Sequence, residues 1–344
     1  MPLTGFGPLD QLEMTIVVDN ETDTLSSVDA GIDQLPELVS LLHRHPASRQ
    51  HEGHDCIPVF DHLCVACHGF SVLLRGVRGE ETRTMLFDVG PYGDVWLDNA
   101  ERLGIDLSEI EAVFLSHWHA DHSAGFPVVV EAIAAARAAA GLSAPVVDLH
   151  PDRPDQRGVQ LPTGVMALLP PEPSFEAIEA AGGVVVRNAD THVLAGLFVG
   201  SGEIARVTEY ETGLVGHHTF RGDECVADPL ILDERFLATH VKGRGVTVLS
   251  ACSHAGVVNA CLGAMDLFPG EPMDVVLGGY HLAGAAMELR IGDTVRDLAE
   301  RVDPRIIAPG HCTGWRAKAA LADAFAPGRY GPSVVGSRYR LVAP

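Results

Sequence analysis

The sequence predicts an α/β fold, because short apolar segments of strand length alternate with segments that are typical of helices. Of the 344 residues, 47% are hydrophobic and 20% are charged, so the chain can bury a sizeable core and is not disordered. Several of the predicted strands also lead directly into an aspartate or a histidine. Because functional groups of α/β proteins gather where strands end, the sequence predicts a functional site along one sheet edge.

Five apolar runs have the length and the β-branched content of buried strands. They cover residues 84–88, 111–116, 245–250, 274–277 and 305–309. Each run ends at or leads to an ionisable side chain, and these side chains are Asp88, His117, His254, His281 and His311. Packing alone does not account for five such coincidences, so the strand ends are candidates for ligands or catalytic groups.

Helices are predicted from apolar periodicity or from alanine content, and they cover 94–103, 126–140, 174–181, 285–302 and 315–325. The segment 1–55 is predicted to be irregular apart from a strand at 15–20. The proline-rich region of about 145–173 is predicted to be an inserted surface loop. A length prior of about 150 residues per domain suggests two domains. No flexible linker divides the chain, however, and a single domain over 1–344 is the better prediction.

The composition excludes several classes of partner. The chain has 24 basic and 46 acidic residues and a formal net charge of −22, which disfavours binding to nucleic acids or to anionic membrane surfaces. No apolar stretch of about 20 residues and no signal-peptide pattern is visible. Seven cysteines are an odd number that argues against a disulfide framework. We therefore expect a cytoplasmic protein that acts on a small molecule.

The most informative motif is Ser116-His117-Trp118-His119-Ala120-Asp121-His122. His117 and His119 leave an extended strand two residues apart, so their side chains point to the same side. Asp121 and His122 follow as the chain turns into the alanine-rich helix. Imidazole and carboxylate groups are ligands for zinc, manganese or iron, and four of them in six positions can serve two adjacent cations. The alternative, a surface cluster or a set of hydrogen-bonded core histidines, does not explain this spacing directly after a strand.

The pattern His-x-His-x-Asp-His, preceded by a strand that ends in Asp88, resembles the metallo-β-lactamase superfamily. The resemblance covers about residues 60–325 and implies a four-layer αββα sandwich with metals at one edge of the sheets. It also implies two divalent metal ions, with zinc as the first expectation and manganese or iron as alternatives. By position, the first metal would be held by His117, His119 and His254, and the second by Asp121, His122 and His311. Asp88 would support these ligands through hydrogen bonds.

Shorter phrases are similar to one branch of this superfamily, which includes dihydropterin–ribofuranosylaminobenzene-phosphate synthase and bacterial metal-dependent hydrolases. These phrases are 67–74, 99–106, 252–256, 278–282 and 309–314. One departure concerns the aspartate that bridges the two metals in most members. The strand at 274–277 leads to His281 and has no carboxylate at that end, which puts the second metal in doubt. His281 is left with three possible roles, as a metal ligand, as a substrate contact or as an acid/base group.

The resemblance implies a metal-dependent hydrolase that uses a metal-bound hydroxide on a small anionic ester, lactone or phosphoester. Asp121 and His281 are the candidate catalytic residues, and Asp121 would also orient the nucleophile. A pterin-type transferase, in which the metals activate a departing pyrophosphate, is the first alternative. An iron-containing redox or binding protein is the second. One fold hosts many reactions, so the resemblance does not decide between the three.

Three weaker patterns receive a structural interpretation. Cys64-Val65-Ala66-Cys67-His68 matches a haem-attachment pattern, but ordinary packing is favoured over haem or an auxiliary zinc site. Cys252 and Cys312 flank the late histidines, and burial as small residues is favoured over a position beside the metals. His217 and His218 lie in a glycine-bounded loop, where they are either solvated or line the substrate entrance.

Overall fold

The computed structural model describes residues 5–344, except the side chain of His43. Its strands are β1 Gln11–Val18, β2 Gln34–Leu35, β3 Arg49–His51, β4 His54–Cys56, β5 Ser71–Arg78, β6 Glu81–Phe87, β7 Ile110–Phe114, β8 Val146–Leu149, β9 Gln156–Gln160, β10 Met166–Leu168, β11 Val184–Arg187, β12 His192–Leu194, β13 Phe198–Gly200, β14 His217–Arg221, β15 Glu224–Ala227, β16 Leu237–Val241, β17 Gly245–Ser250, β18 Met273–Gly279, β19 Ile306–Gly310 and β20 Arg338–Val342. Its helices are α1 Glu37–Arg44, α2 Gly93–Leu103, α3 Ala120–Ser123, α4 Phe126–Ala139, α5 Phe175–Ala180, α6 Val257–Leu267, α7 Ala285–Glu288, α8 Ile291–Asp297 and α9 Trp315–Phe325.

Two large mixed sheets form the centre of the molecule. The first has eight strands in the order β11-β8-β7-β6-β5-β1-β20-β2, and the second has six in the order β12-β13-β16-β17-β18-β19. Strands β6, β7, β8 and β11 run parallel in the first sheet, as do β17, β18 and β19 in the second. Parallel neighbours share one carboxyl edge, so the loops that follow them emerge together.

Three apolar clusters show the layer order. The central cluster joins residues of both sheets, including Met14 and Phe87 from the first and Leu249 and Leu277 from the second. A second cluster packs α2 and α4 on the outer face of the eight-stranded sheet. A third packs α6, α8 and α9 on the outer face of the six-stranded sheet. Helix, sheet, sheet and helix therefore follow one another, which confirms the predicted four-layer αββα sandwich.

The structure differs from the sequence prediction in the segments that lack clear periodicity. Residues 145–173, expected to be a loop, contain β8, β9 and β10. Strands β9 and β10 join β14 and β15 in a separate four-stranded sheet, in the order β10-β9-β14-β15. The pattern was hidden because β9 is mostly polar and buries an arginine, Arg157, on one face. The segment 1–55 also contains more structure than expected, since β1 begins at Gln11 and α1 lies within it.

Two helix predictions also need correction. The predicted helix at 285–302 is divided into α7, α8 and a π-helical turn at Leu298–Val302. Helix α6 was not predicted, because its sequence contains valines and a glycine, which have low helix propensity. Burial of its apolar face against the six-stranded sheet supplies the stability that propensity does not.

Candidate metal centre

The candidate site lies where the parallel strands of both sheets end. Strand β6 leads to Asp88 and β7 to the histidine motif, while β17, β18 and β19 lead to Cys252–His254, His281 and His311. Asp88, Ser253, His281 and His311 have positive φ angles of 55°, 61°, 46° and 44°. Such angles are unfavourable for residues other than glycine, and they cluster at functional sites that the surrounding structure holds in place.

The first set of donors consists of the imidazoles of His117, His119 and His254, which we call the nitrogen group. His119 Nδ1 lies 3.0 Å from His117 Nε2 and 3.1 Å from His254 Nε2. All three side chains are buried. Burial lowers the pKa of each ring well below its ordinary value, so the rings are neutral and able to bind a cation.

The second set, which we call the mixed group, combines oxygen, nitrogen and sulfur donors. It consists of Asp121, His122, Cys252 and His311, whose donor atoms all lie within 4.8 Å of one another. Cys252 Sγ is 3.2 Å from Nε2 of both His122 and His311. Asp121 Oδ2 is 3.3 Å from His311 Nε2 and 3.6 Å from His122 Nε2.

Cys252 lies between the two groups. Its sulfur is also within 4.8 Å of donor nitrogens of His117 and His254, so one thiol adjoins both sets. Burial raises the pKa of this thiol well above its ordinary value, and a bound cation would displace its proton. No carboxylate directly follows β18, whereas Cys252, which follows β17, lies between the two donor groups, where its sulfur could bind a cation of either group. Cys252 is indeed buried, but its contacts are with donors and not only with apolar side chains.

Hydrogen bonds determine which nitrogen of each histidine ring is available to bind a cation. Ser116 Oγ donates to Asp88 Oδ2 at 2.7 Å, so it accepts from His117 Nδ1 at 2.9 Å. The same carboxylate oxygen accepts from His122 Nδ1 at 2.8 Å. Asn20 Oδ1 accepts from Gly69 N at 3.1 Å and from His311 Nδ1 at 2.9 Å. Each of these rings therefore carries a proton on Nδ1, and Nε2 is the nitrogen that faces the site and can bind a cation.

The spacing and the chemistry of these donor atoms indicate whether the residues could bind a cation. Nitrogen lone pairs directed at one another across about 3 Å repel, unless a positive charge lies between or beside them. Neutral imidazole, carboxylate and thiolate are the donors that zinc and related divalent ions prefer in proteins. Each protonated outer nitrogen is held by a carboxylate, a hydroxyl or an amide oxygen, which is the usual way to orient a ligating histidine. The donor set therefore fits a divalent metal centre.

Three consecutive buried charges hold the loops of the nitrogen group, and sequence reasoning missed them. Asp233 Oδ2 accepts from the backbone N–H of Trp118 at 2.8 Å. Glu234 accepts from the backbone of His254 at 2.7 Å, and burial raises the pKa of this carboxyl to about 7. Arg235 pairs with Asp148 at 2.7 Å and donates to Leu115 O at 2.7 Å. A run of three charged residues directly before the apolar strand β16 was the available signal.

His68 and His281 lie at the margins of the centre. His68 Nδ1 accepts from Asn20 Nδ2 at 2.9 Å, and its Nε2 lies 3.4 Å from Asp121 Oδ2. The sequence pattern around His68 favours ordinary packing and does not by itself indicate this position beside Asp121. The ring of His281 lies 4.4 Å from that of His254, and its Nδ1 is buried without a hydrogen-bond partner. His281, Cys252 and Cys312 also form a set of donors within 4.8 Å.

The structure therefore brings together every residue that the sequence predicted for the site. Among residues 5–344, the sets of close donor atoms do not include Cys64 or Cys67, the segment for which ordinary packing is favoured over an auxiliary zinc site. Cys64 is instead buried, with its backbone N–H bonded to Glu37. None of the helices in the described part of the chain is long and apolar enough to span a membrane.

Comparisons with known proteins concern the family and the fold. A model described as the metallo-beta-lactamase superfamily matches residues 65–224. The chain is 28% identical to 7,8-dihydropterin-6-methyl-4-(beta-D-ribofuranosyl)-aminobenzene-5'-phosphate synthase from Methanocaldococcus jannaschii. The aligned region has 262 residues and covers 75% of this chain and 85% of that protein.

Solved structures show the same fold. A crystal structure described as a metal-dependent hydrolase of the beta-lactamase superfamily aligns with a TM-score of 0.66 and 21% identity, over 96% of this chain and 98% of the other. The metallo-beta-lactamase fold protein YhfI from Bacillus subtilis aligns with a TM-score of 0.50 and 11% identity, over 96% of this chain and 100% of the other. The chain is therefore similar to the metallo-β-lactamase superfamily over residues 65–224, and it shares the fold of these solved structures.

Proposed function

We propose that the protein is a metal-dependent hydrolase with two divalent cations, zinc or manganese, which acts on a small anionic ester, lactone or phosphoester. The observation that carries the proposal is the pair of donor groups joined through Cys252. Cations bound there would lower the pKa of a water molecule towards ~7 and would neutralise an anionic oxygen of the substrate.

The residues around the centre have separable roles in this proposal. The nitrogen group holds the first cation, and the mixed group holds the second. Asp88 and Ser116 keep the Nε2 lone pairs of His117 and His122 directed inward, through hydrogen bonds of 2.7 to 2.9 Å. Asp121, whose side chain is 20% exposed, is the ligand best placed to orient a water molecule from the solvent side.

His281 is the group proposed to exchange a proton with the substrate. Its ring adjoins His254, while its buried Nδ1 has no partner within the protein. An unpaired ring nitrogen beside the centre can donate to a leaving oxygen or accept from an attacking water. His281→Ala should therefore retain the first metal but lower kcat, by about 10²- to 10⁴-fold. Loss of metal together with activity in this variant would make His281 a ligand instead.

The local charge at the centre supports the binding of an anionic substrate, even though the protein as a whole is acidic. Two divalent cations would make the centre locally positive, although the whole chain carries −22. The buried guanidinium of Arg157 adds no net positive charge there, because it pairs at 2.6 Å with Asp233 and lies 3.5 Å from Asp228, so the cations would supply the positive charge. An anion can therefore be attracted locally, while extended polyanions are repelled by the surface.

A pterin-type transferase is the second candidate, and one observation favours it. The relative from Methanocaldococcus jannaschii, at 28% identity over most of both chains, is named as a synthase. In a transferase, the same centre would stabilise a departing pyrophosphate while a second substrate excludes water. The two candidates differ in whether water is the acceptor, and the residues of the centre are the same in both.

The deciding experiment combines metal analysis of the purified protein with turnover on phosphoesters, lactones and thioesters. About two equivalents of zinc or manganese with hydrolysis of one substrate class would support the hydrolase. Two equivalents without hydrolysis, but with pyrophosphate release from a pterin substrate in the presence of an acceptor, would favour the transferase. Iron with oxygen consumption would favour a redox protein, and absence of bound metal would contradict the proposal.

We also propose a cytoplasmic, reducing setting. Among the described residues all seven cysteines are free thiols, and Cys252 must remain reduced to act as a ligand. Oxidation of purified protein should therefore lower its zinc content, and a thiol reductant should restore it.

A further inference from the structure

His217 begins β14 in the small four-stranded sheet, and it is 1% exposed. His217 is not among the predicted metal ligands, and its sequence context predicts either a solvated loop or the substrate entrance. Its ring instead packs against His119, with ring centroids 5.0 Å apart, and its Nε2 lies 2.9 Å from His119 Nε2. His217 is thus in contact with the outer nitrogen of a nitrogen-group residue.

The hydrogen bonds of His217 determine the direction of this contact. Its Nδ1 lies 2.7 Å from the backbone oxygen of Asp228. A carbonyl oxygen can only accept, so Nδ1 carries the proton and Nε2 of the neutral ring is left as an acceptor. His119 Nε2 must then be the donor in the contact between the two rings. A proton on Nε2 of His119 leaves the lone pair on Nδ1, the atom that faces His117 and His254.

We infer that His217 is a positioning residue that holds His119 in the tautomer with a free Nδ1 and so prepares it to bind the first metal. This inference rests on the metal centre proposed above. His117, His122 and His311 bond to oxygen acceptors through Nδ1. His119 differs from these three rings, because its Nδ1 faces the other donors of the nitrogen group. It therefore requires a hydrogen-bond acceptor for Nε2, on the opposite side of its ring. The small sheet supplies that acceptor.

The surroundings of Asp228 show that the contact is built into the sheet. The backbone N–H of Asp228 donates to His217 O at 2.9 Å, and the His217 ring donates from Nδ1 to Asp228 O at 2.7 Å, so the two residues are joined by two hydrogen bonds. The Asp228 side chain accepts from Thr219 Oγ1 at 2.7 Å and lies 3.5 Å from Arg157 Nη2. Thr219 and Arg157 are cross-strand partners in β14 and β9. The ring of His217 is therefore oriented by the register of the sheet.

The same geometry argues against His217 as a ligand of the first metal. The two nitrogens of an imidazole point away from each other, so a cation at Nδ1 of His119 lies on the far side of the ring from His217. On the Nδ1 side of the His119 ring, His254 Nε2 lies 3.1 Å from Nδ1 and already supplies the third nitrogen donor of the group. A direct contact of His217 with the cation would require His119 to turn over.

The test uses zinc affinity, measured by competition with a chelator, in four forms of the full chain. His217→Ala removes the acceptor, and the zinc affinity of the first site should fall about 10- to 100-fold. His217→Gln restores an acceptor oxygen near the former Nε2 and should recover most of this loss. His218→Ala, the neighbouring residue whose Nδ1 bonds to Gly216 O, is the matched control and should match the wild type. Melting temperatures of the metal-free variants would show whether each is folded.

A second measurement reads the tautomer of His119 directly, without metal or substrate. Long-range proton–nitrogen spectra of protein labelled with ¹⁵N-histidine should show the His119 proton on Nε2 in the wild type. His217→Ala should show a mixture of the two tautomers. Loss of one resonance in a His119→Gln variant assigns the signal.

Four outcomes would overturn the inference or its basis, and they are distinguishable. Equal zinc affinity in His217→Ala and the wild type, or a proton on Nδ1 of His119, would contradict the positioning role while the metal centre stands. A lower coordination number in the cobalt(II) spectrum of His217→Ala would make His217 a ligand instead. Failure of the wild type itself to bind zinc would contradict the proposed metal centre.

Discussion

The nitrogen group and the mixed group lie side by side, yet they are built differently. The nitrogen group has three neutral imidazoles, all of them buried. The mixed group adds a carboxylate and a thiol, and its Asp121 side chain is 20% exposed and meets an exposed histidine, His68. The first group is therefore enclosed and uncharged, whereas the second is partly open and carries charge.

Because of this difference, the two groups should bind their metal ions with a different dependence on pH. Neutral buried donors need no proton removed before they bind, so the first ion should remain bound over a wide range of pH. The mixed group exchanges protons for its ion, because burial keeps Cys252 as a thiol and because His122 is charged in the absence of metal. The exposed edge of the mixed group also leaves room for water and substrate. Four predictions test this contrast.

The largest effect is expected from removing a nitrogen-group ligand. His117→Ala should lose the first metal and lower turnover to background, because the remaining rings cannot replace the Nε2 donor. Metal content after dialysis and hydrolysis of the best substrate measure both effects. His51→Ala, an exposed histidine in β3, is the control and should match the wild type. Full metal content and full activity in His117→Ala would contradict the assignment of the centre.

The next effect concerns the shared thiol. Cys252→Ala should lower the metal content from about two equivalents to about one, because the mixed group loses its sulfur donor while the nitrogen group keeps three nitrogens. In the cobalt(II)-substituted wild type a sulfur-to-metal charge-transfer band is expected, and the variant should lack it. Cys261→Ala, a buried cysteine of α6, should keep the band. A band that persists in Cys252→Ala would assign the sulfur ligand elsewhere.

A third prediction contrasts the pH dependence of the two sites. Burial opposes a charge on His122, but Asp121 and Asp88 outweigh it and raise the pKa of the metal-free ring to about 9. A cation must displace this proton and also the proton of the Cys252 thiol, so the affinity of the mixed group should rise about a hundredfold per pH unit as the pH increases towards that value. The nitrogen group, whose histidine pKa values are lowered, should show little change above about pH 6.5.

Zinc titrations against a chelator at several pH values would measure this contrast. Proton release can be counted in parallel by calorimetry in buffers of different ionisation enthalpy. Two binding steps with the same pH slope would show that the groups do not differ in protonation, and the comparison would then fail.

The smallest effect is expected at the rim. His68→Gln should weaken the second metal only a few-fold, since the contact with Asp121 is long, at 3.4 Å, and the His68 side chain is 68% exposed. The affinity of the first metal should not change. A larger loss, or a change in metal stoichiometry, would indicate that His68 binds the second ion directly.

Much of the fold and the centre of the site could be predicted from the sequence, because the relevant signals are local. Strands that end in Asp88, His254 and His311 are visible as apolar runs, and their exposure to one edge follows from parallel pairing. The spacing of His117 and His119 follows from the two-residue repeat of an extended chain. Local spacing of this kind identifies donor types without reference to the rest of the molecule.

The residues that were missed share a different property, because each acts across a long sequence separation. Glu234 binds the loop of His254 from 20 residues away, and His217 meets His119 across 98 residues. Cys252 comes to lie between the two donor groups only when β17 of one sheet lies opposite the motif that follows β7 of the other. No periodicity within a segment reports such distances.

The sequence by itself determined the class of fold, the kinds of donor atom and the order in which strands deliver them. The tertiary structure decided which donors share an ion, which ring nitrogen faces inward and which thiol lies between the groups. The physical reason is that ligand identity is a property of single residues, whereas coordination depends on distances of about 3 Å between atoms of separate strands. Those distances, and the hydrogen bonds that orient the rings, exist only after the two large sheets and the small sheet have packed together.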